Sequence, residues 1–297
     1  MDKDETNCEY VGSRGILKTC NSHSTNPRSS IRFVRNQSFE QLKDGDSIYI
    51  CSNALQDFVL NRLAAINTRF VLVSGDADNP VPTGALSRDG FERLYNHPML
   101  IAWYSQNLVF SPKQFPKLRY LPIGLDYHTL SEGAHAWGPM SSPIQQESLL
   151  KAIANTARPF WDRIPSAYTT FHFELGRGGR REAFEKISSP LVYYEPNRVV
   201  RMISWRNQSK YAFVISPPGE GLDCHRTWEA LCLGCIPILL SSPLDDLFED
   251  LPVLIISSWS DISRDLLYKT MLEYKNREFK MEKLTLSYWT NQILRMA

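Results

Sequence analysis

The stretch from Tyr211 to Leu240 reads YAFVISPPGEGLDCHRTWEALCLGCIPILL. Its first five residues are β-branched, aromatic and apolar, which is typical of a buried strand. A loop rich in proline and glycine leads into a helical pattern that stops at Gly234. The next apolar run, Ile236–Leu240, predicts a second strand. A strand, loop, helix and strand within about thirty residues form a βαβ unit, so the stretch predicts a parallel α/β sheet.

The loop of this unit has the properties of an anion site. Gly219 and Gly221 let a ligand approach the backbone closely. Asp223 is in position to cap the following helix. The free N–H groups of the first turn and the positive end of the helix dipole then point toward the loop. The unit therefore predicts a phosphate-binding site.

Three polar residues follow on one face of the predicted helix. At about 100° per residue, His225, Arg226 and Glu229 lie together, opposite the apolar face. Arg226 would hold a diphosphate oxygen, His225 would donate to a second one, and Glu229 would accept hydrogen bonds from ribose hydroxyls. The alternative is a solvated helix face with ordinary capping.

Two known phosphate motifs are absent from this segment. The dinucleotide fingerprint fails because Cys224 occupies its third small position, and the P-loop fails because no Lys-Ser or Lys-Thr closes the loop. Residues Ser216 to Pro237 instead resemble the exostosin-like glycosyltransferases, glycosyltransferase family 47. Their pattern is Ser-Pro-x-Gly-x-Gly-x-Asp-x-His-Arg-x-Trp-Glu-Ala-Leu followed by Gly-x-Ile-Pro.

The resemblance implies a fold and an activity. The fold is α/β, with two Rossmann-like domains facing a cleft, the GT-B fold. The activity is inverting transfer of a sugar from a nucleotide diphosphate donor, a uridine diphosphate sugar such as UDP-xylose, to a glycan hydroxyl. Ser216 would belong to the donor site. Residues 13–20, 73–78, 103–107 and 121–125 also resemble landmarks of the compact type found in large algal viruses.

Composition limits the other classes of function. The chain has 297 residues, 43% hydrophobic and 22% charged, which suits two compact domains. A formal net charge of +1 provides no general attraction to nucleic acid or anionic membranes. The N-terminus lacks a secretory apolar stretch, and no run of about 18 apolar residues occurs. We therefore expect a soluble cytoplasmic protein with no nucleic-acid partner and no membrane span.

Alternating strand and helix patterns divide the chain in two. Residues 1–145 are predicted to form an acceptor-binding Rossmann-like domain, and residues 146–297 the donor-binding domain, with the last helix crossing back to the first. In the second domain, a strand is predicted at residues 168–173. A glycine and arginine segment, 176–181, follows it, and Arg180 is its first candidate for a diphosphate contact. The alternative is a flexible basic loop.

The catalytic base has several candidates. Asp76 and Asp78 follow a predicted strand, where a loop should overlook the cleft, and Asp126 with His128 form the competing pair. Such aspartates also cap turns. Asp76 and Asp78 resemble, besides, the acidic pair that holds a divalent cation in the other main glycosyltransferase fold. Because arginines already offer counter-charge, we expect no cofactor and transfer without a metal.

Aromatic residues of the first domain are candidates for the acceptor site. Trp103 and Tyr127 lie in or after predicted strands, and aromatic faces stack on sugar C–H surfaces. Two other functions stay open besides the enzyme. One is a non-catalytic relative that binds a nucleotide sugar or a glycan. The other is an oxidoreductase on a similar frame, which the missing dinucleotide fingerprint disfavours.

Overall fold

The chain forms two separate parallel β-sheets in a computed structural model that describes residues 4–187 and 189–296. The first sheet has the strand order β1-β2-β3-β4. Its strands are β1 (Asp46–Cys51), β2 (Phe70–Gly75), β3 (Leu100–Ser105) and β4 (Leu118–Tyr120).

The second sheet has the order β6-β5-β7-β8-β9, and all its pairings are parallel. Its strands are β5 (Ile164–Thr169), β6 (Val192–Tyr194), β7 (Tyr211–Ile215), β8 (Ile236–Leu240) and β9 (Leu254–Ile256).

Helices lie between the strands and at both ends of the chain. Those up to the start of the second sheet are α1 (Ser13–Thr19), α2 (Leu55–Asn61), α3 (Arg88–Tyr95), α4 (His128–Glu132) and α5 (Pro143–Thr156). Those that follow are α6 (Arg180–Lys186), α7 (Arg201–Gln208), α8 (His225–Cys232), α9 (Arg264–Lys275) and α10 (Leu286–Leu294).

The strand sequences explain why both sheets are covered on two faces. All six residues of β2 are buried, and so are the last four of β7. Near-continuous apolar strands of this kind occur in parallel sheets with helices on both sides. The predicted fold class, α/β with two Rossmann-like domains, is confirmed.

One strand lies earlier than the sequence pattern predicts. The strand expected at residues 168–173 ends at Thr169, and a 3₁₀ turn, Phe171–Glu174, takes its place. The Thr169 hydroxyl accepts a hydrogen bond from the Phe171 N–H at 3.2 Å, which turns the chain away from the sheet. The segment after this turn therefore starts at the edge of the cleft.

The last helix contacts the first domain. The Leu286 N–H donates to the Glu9 carbonyl at 2.7 Å, and the Tyr104 hydroxyl donates to the Gln292 carbonyl at 2.9 Å. Just before α10, the Lys283 ammonium donates to the carbonyls of Leu247, at 2.8 Å, and Glu249 in the second domain. The outer ends of the two predicted domains, residues 1–3 and 297, lie outside the described residues.

None of the described helices combines the length and the apolar character that a bilayer crossing requires.

Candidate functional site

A cleft of about 340 Å³ lies between the two domains. Its wall contains residues that follow the carboxyl ends of strands in both sheets, where ligands bind in open parallel sheets. The first domain supplies Asp78, Ile123, Asp126, Ala136 and Trp137. The second domain supplies residues within the segments 170–180, 198–208 and 219–229.

Seven of the eight residues predicted to bind the donor line this cleft; they are Arg180, Gly219, Gly221, Asp223, His225, Arg226 and Glu229. The exception is Ser216. It is 3% exposed, and its Oγ lies 2.8 Å from the Thr227 Oγ1. This hydrogen bond connects the start of the loop to α8 on the buried side, away from the cleft.

The prediction that Asp223 caps α8 is wrong. The N-cap residue is Cys224, which makes no side-chain capping bond. The Asp223 carboxylate instead accepts the Ile123 N–H at 2.7 Å and the Trp228 indole N–H at 2.9 and 3.0 Å. Burial raises the pKa of Asp223 to about 6. This carboxylate therefore connects the two domains and leaves the first turn of α8 without a side-chain cap.

Two glycines allow close packing around the loop. Gly178 has a φ of +47°, and a Cβ there would lie 2.7 Å from the Gly219 carbonyl oxygen. A Cβ on Gly221 would lie 3.0 Å from the Asn107 amide and 3.3 Å from the Asp78 carbonyl oxygen. The arginine segment and the first domain thus both touch the glycine loop, which favours an ordered arrangement over a flexible basic loop.

Arg180 and Arg226 face the cleft without an acidic partner at ion-pair distance among the described residues. Arg180 is 8% exposed, and its Nε donates to the Pro218 carbonyl at 3.1 Å. Burial, and then the charge of Arg226, lower the pKa of Arg180. Two guanidinium groups that repel each other on a cleft wall attract an anion.

His225 and Glu229 lie on the same face of α8, as predicted from their spacing. The His225 Nδ1 donates to the Gly124 carbonyl at 2.7 Å, which leaves Nε2 without its proton in the neutral ring. The Glu229 Oε1 lies 3.7 Å from the Nε of Arg201. Both side chains line the cleft.

Sequence reasoning missed Arg201, the first residue of α7. Its guanidinium donates to the carbonyl of Asp126 at 2.6 Å and to the Gln146 side chain at 2.9 Å, and it pairs with the Asp126 carboxylate at 3.2 Å. The rings of Trp137 and Trp205 lie 5.0 and 5.7 Å from it. Its position after the carboxyl end of β6 is the signal that could have identified it.

Asp126 is held ionised on the first-domain wall. Its carboxylate contacts Arg201, the Nδ1 of His128 at 3.1 Å and the Thr129 N–H at 3.0 Å. Burial would raise its pKa, but the charges of His225, His128 and Arg201 hold the pKa of Asp126 well below its usual range. Burial also lowers the pKa of His128, against the effect of Asp126. His128 itself is not among the residues that line the cleft.

Asp76 and Asp78 lie in very different surroundings. Asp76 is 7% exposed, has a φ of 58°, and lies 3.6 Å from the Nε of Arg14, away from the cleft wall. Asp78 is exposed on the cleft wall, and its carboxylate has no hydrogen bond or ion pair within the described part of the chain. Of the two predicted first choices, only Asp78 can reach a ligand.

The structure contradicts the predicted acceptor-binding roles of Trp103 and Tyr127. They are 0% and 1% exposed and belong to the core. The Trp103 indole donates to the Ser74 hydroxyl at 2.8 Å, and the Tyr127 hydroxyl donates to Glu147 at 3.0 Å. The aromatic residue exposed on the first-domain wall is Trp137, which is 42% exposed.

No cluster of three or more His, Cys, Asp or Glu side chains that could hold a metal ion occurs within residues 4–187 and 189–296.

No family model and no curated protein matches the chain. Among solved structures, it is similar to an α,α-trehalose-phosphate synthase (UDP-forming) from Burkholderia xenovorans in complex with glucose-6-phosphate. The TM-score is 0.42 at 12% identity, over 86% of this chain and 73% of that one. An E. coli structure described as trehalose-6-phosphate bound with UDP-2-fluoro glucose has a TM-score of 0.35 at 12% identity, with coverages of 86% and 71%.

Proposed function

We propose that this chain is an inverting glycosyltransferase of the exostosin-like type, which moves a sugar from a uridine diphosphate donor to a glycan hydroxyl. One observation carries the proposal. Arg180 and Arg226 lie on the cleft wall beside the glycine loop and lack an acidic partner among the described residues. A diphosphate would neutralise both groups at once.

The other donor contacts follow from this placement. The uncapped first turn of α8 presents backbone N–H groups to the diphosphate. Glu229, one turn further along, would accept hydrogen bonds from the ribose hydroxyls. The glycines of the loop allow the backbone to approach the ligand. UDP-xylose is the first donor to test.

For the transfer step, we assign Asp78 as the general base. It would accept the proton of the acceptor hydroxyl while that oxygen bonds to the anomeric carbon. The bond from the anomeric carbon to the diphosphate oxygen breaks, and the electron pair leaves with the diphosphate. Arg180 and Arg226 would stabilise the negative charge that develops there. Trp137, exposed on the same wall as Asp78, offers a face for an acceptor sugar.

Calorimetric titration with UDP tests the donor site. Arg226→Ala should weaken UDP binding by about 10- to 100-fold, because a hydrogen bond to a charged group contributes about 1.5–3 kcal/mol. The matched control is Arg181→Ala, an exposed arginine next to Arg180 that does not line the cleft. Equal UDP affinity in wild type and Arg226→Ala would reject the donor assignment.

A second candidate function is binding without turnover. It is favoured by the fact that Asp76, Asp126 and His128 all have protein partners, which leaves few groups free to accept a proton. Incubation of the wild-type protein with UDP-xylose, UDP-galactose and UDP-glucose, and release of UDP with or without acceptor sugars, separates the two functions. Tight UDP binding with no release of UDP from any donor would favour the binding protein.

A further inference from the structure

The side chain of Asn107 connects the two parts of the cleft that the proposed transfer must bring together. Asn107 is the second residue after β3 and is 1% exposed. Its amide Nδ2 donates to the carbonyl of Ala77, the residue before Asp78, at 3.1 Å. Its amide oxygen accepts the N–H of Asp223, at the end of the glycine loop, at 2.9 Å. One buried side chain thus joins the segment of Asp78 in the first domain to the donor loop of the second.

The backbone conformation at this position explains why the residue is an asparagine. Its φ is +51°, in the left-handed region that asparagine, aspartate and glycine adopt more easily than other residues. An ionised aspartate has no donor for the Ala77 carbonyl, and glycine has no side chain for either bond. Asparagine satisfies the backbone and both hydrogen bonds at once.

The place of Asp78 depends on its backbone. Its carboxylate makes no hydrogen bond or ion pair within the described part of the chain. Asn107 holds the backbone on both sides of it, because the Val81 N–H also donates to the Asn107 carbonyl, at 2.9 Å. The donor loop lies directly against this segment: a Cβ on Gly221 would lie 3.0 Å from the Asn107 amide and 3.3 Å from the Asp78 carbonyl oxygen. Contacts through Asn107 therefore fix where Asp78 stands relative to the donor loop.

We propose that Asn107 is a positioning residue for the transfer, which holds the Asp78 carboxylate in place relative to the bound donor. This rests on the proposed function, in which Asp78 is the general base and the diphosphate lies beside the glycine loop. A general base must come within hydrogen-bond distance of the proton that it accepts. A displacement of about 1 Å, even one caused far from the reacting atoms, can lower a rate by about 100-fold.

Asn107→Gly tests this role, because it removes the amide and adopts the φ of +51° without strain. With the donor and acceptor that give the fastest UDP release in the wild type, the turnover number should fall by about 10- to 100-fold. UDP affinity should stay unchanged, because Arg180, Arg226 and the first turn of α8 are intact. Steady-state kinetics and calorimetry on the full chain measure the two effects.

The matched control is a contact between the same two domains outside the cleft. Lys113 pairs with Asp246 at 2.9 Å, and neither residue lines the cleft. Asp246→Asn should leave both the turnover number and UDP affinity unchanged. An equal fall in turnover in Asp246→Asn would show that any loosening of the domains has the same effect, and it would overturn the role of Asn107.

The double variant of Asn107→Gly with Asp78→Asn distinguishes positioning from general support of the fold. If Asn107 acts through Asp78, its loss cannot harm a base that is already absent, so the double variant should turn over as fast as Asp78→Asn alone. A merely structural role would multiply the two losses. If Asn107→Gly is unfolded by circular dichroism, Asn107→Asp takes its place, because it keeps the acceptor for the Asp223 N–H and loses the donor to Ala77.

The outcomes separate this role from the function on which it depends. Full turnover in Asn107→Gly, or losses that multiply in the double variant, would overturn the positioning role and leave Asp78 and Arg226 with their assignments. Full turnover in Asp78→Asn, with UDP binding still weakened in Arg226→Ala, would reject the base and the positioning role together and leave the donor site. A wild-type protein that releases no UDP from any donor would reject the enzyme, and this role with it.

Discussion

The two walls of the cleft treat their charges in opposite ways. On the first-domain side, Asp126 contacts Arg201, His128 and the Thr129 N–H. On the second-domain side, Arg180 and Arg226 have no acidic partner among the described residues. A charge that is paired within the protein holds segments of the chain together, whereas two like charges without a partner are available to bind a ligand of opposite charge. The first-domain wall, which carries Asp126, is therefore the supporting wall, and the part of the second-domain wall that carries Arg180 and Arg226 is a binding surface.

Asp78 is the exception on the supporting wall, and its replacement tests whether a free carboxylate there has a chemical role. Asp78→Asn should lower the turnover number by between about 10²- and 10⁴-fold, since it removes a general base, and leave UDP affinity unchanged. Steady-state kinetics and calorimetry measure the two effects. Asp76→Asn is the comparison two residues away; full turnover in Asp78→Asn, with loss in Asp76→Asn, would reverse the assignment.

Arg201→Met should produce the largest loss of stability. The substitution leaves the carboxylate of Asp126, whose side chain is 3% exposed, without its guanidinium partner. Removal of one partner of a buried pair costs about 3–5 kcal/mol of unfolding free energy. Urea denaturation measures it. Arg198, three residues before Arg201, forms an exposed pair with Glu174, and Arg198→Met should lower the free energy of unfolding by less than about 1 kcal/mol. Equal losses in the two variants would contradict the supporting role of the buried pair between Arg201 and Asp126.

Arg180→Met should show the opposite behaviour from Arg201→Met. Without ligand, its unfolding temperature should stay equal or rise, because the substitution removes a buried cation that Arg226 repels. Its UDP affinity should fall by about tenfold or more. Thermal unfolding with and without UDP measures both effects, and Arg181→Met controls for the change in net charge. A clear loss of stability in the free protein would show that Arg180 is part of the support after all.

The smallest predicted effect is the pH dependence of stability that comes from the buried carboxyl of Glu5 in the first domain. Burial raises the pKa of Glu5 to about 8, although Arg14 acts against this shift. Between about pH 4.5 and 8 the unfolded chain loses this proton first, so the stability that the protonated group contributes is lost as pH rises. Between pH 6 and 7 the free energy of unfolding should fall by at most about 1.4 kcal/mol. Glu5→Gln should flatten this slope in urea denaturation, and exposed Glu282→Gln should not.

The βαβ unit shows what local sequence can predict. Strands β7 and β8 begin and end where the residue pattern places them, and His225, Arg226 and Glu229 share one face as their spacing requires. These features depend on chain geometry over a few residues. The position of the cleft follows as well, since the carboxyl ends of parallel strands lie at one edge of a sheet.

The errors concern contacts between distant parts of the chain. Asp223 has the position of a capping residue, but the Ile123 N–H, one hundred residues earlier, binds its carboxylate. Trp103 and Tyr127 have aromatic rings of the kind that stack on sugars, but the packing of the first domain buries both side chains. Arg201 has no local motif, and its role depends on three partners from separate segments, which no spacing rule brings together.

The return of α10 to the first domain has a mechanical consequence. The chain passes between the two lobes at α5, which contacts both, and again between Lys283 and Leu286, where Lys283 is anchored to one lobe and α10 to the other. A rigid body held at two points turns most easily about the line that joins them. Once the contacts of Asp223 and Arg201 between the lobes are broken, we therefore expect any opening of this protein to be a swing about that line, so that a single angle sets how far Asp78 stands from Arg226.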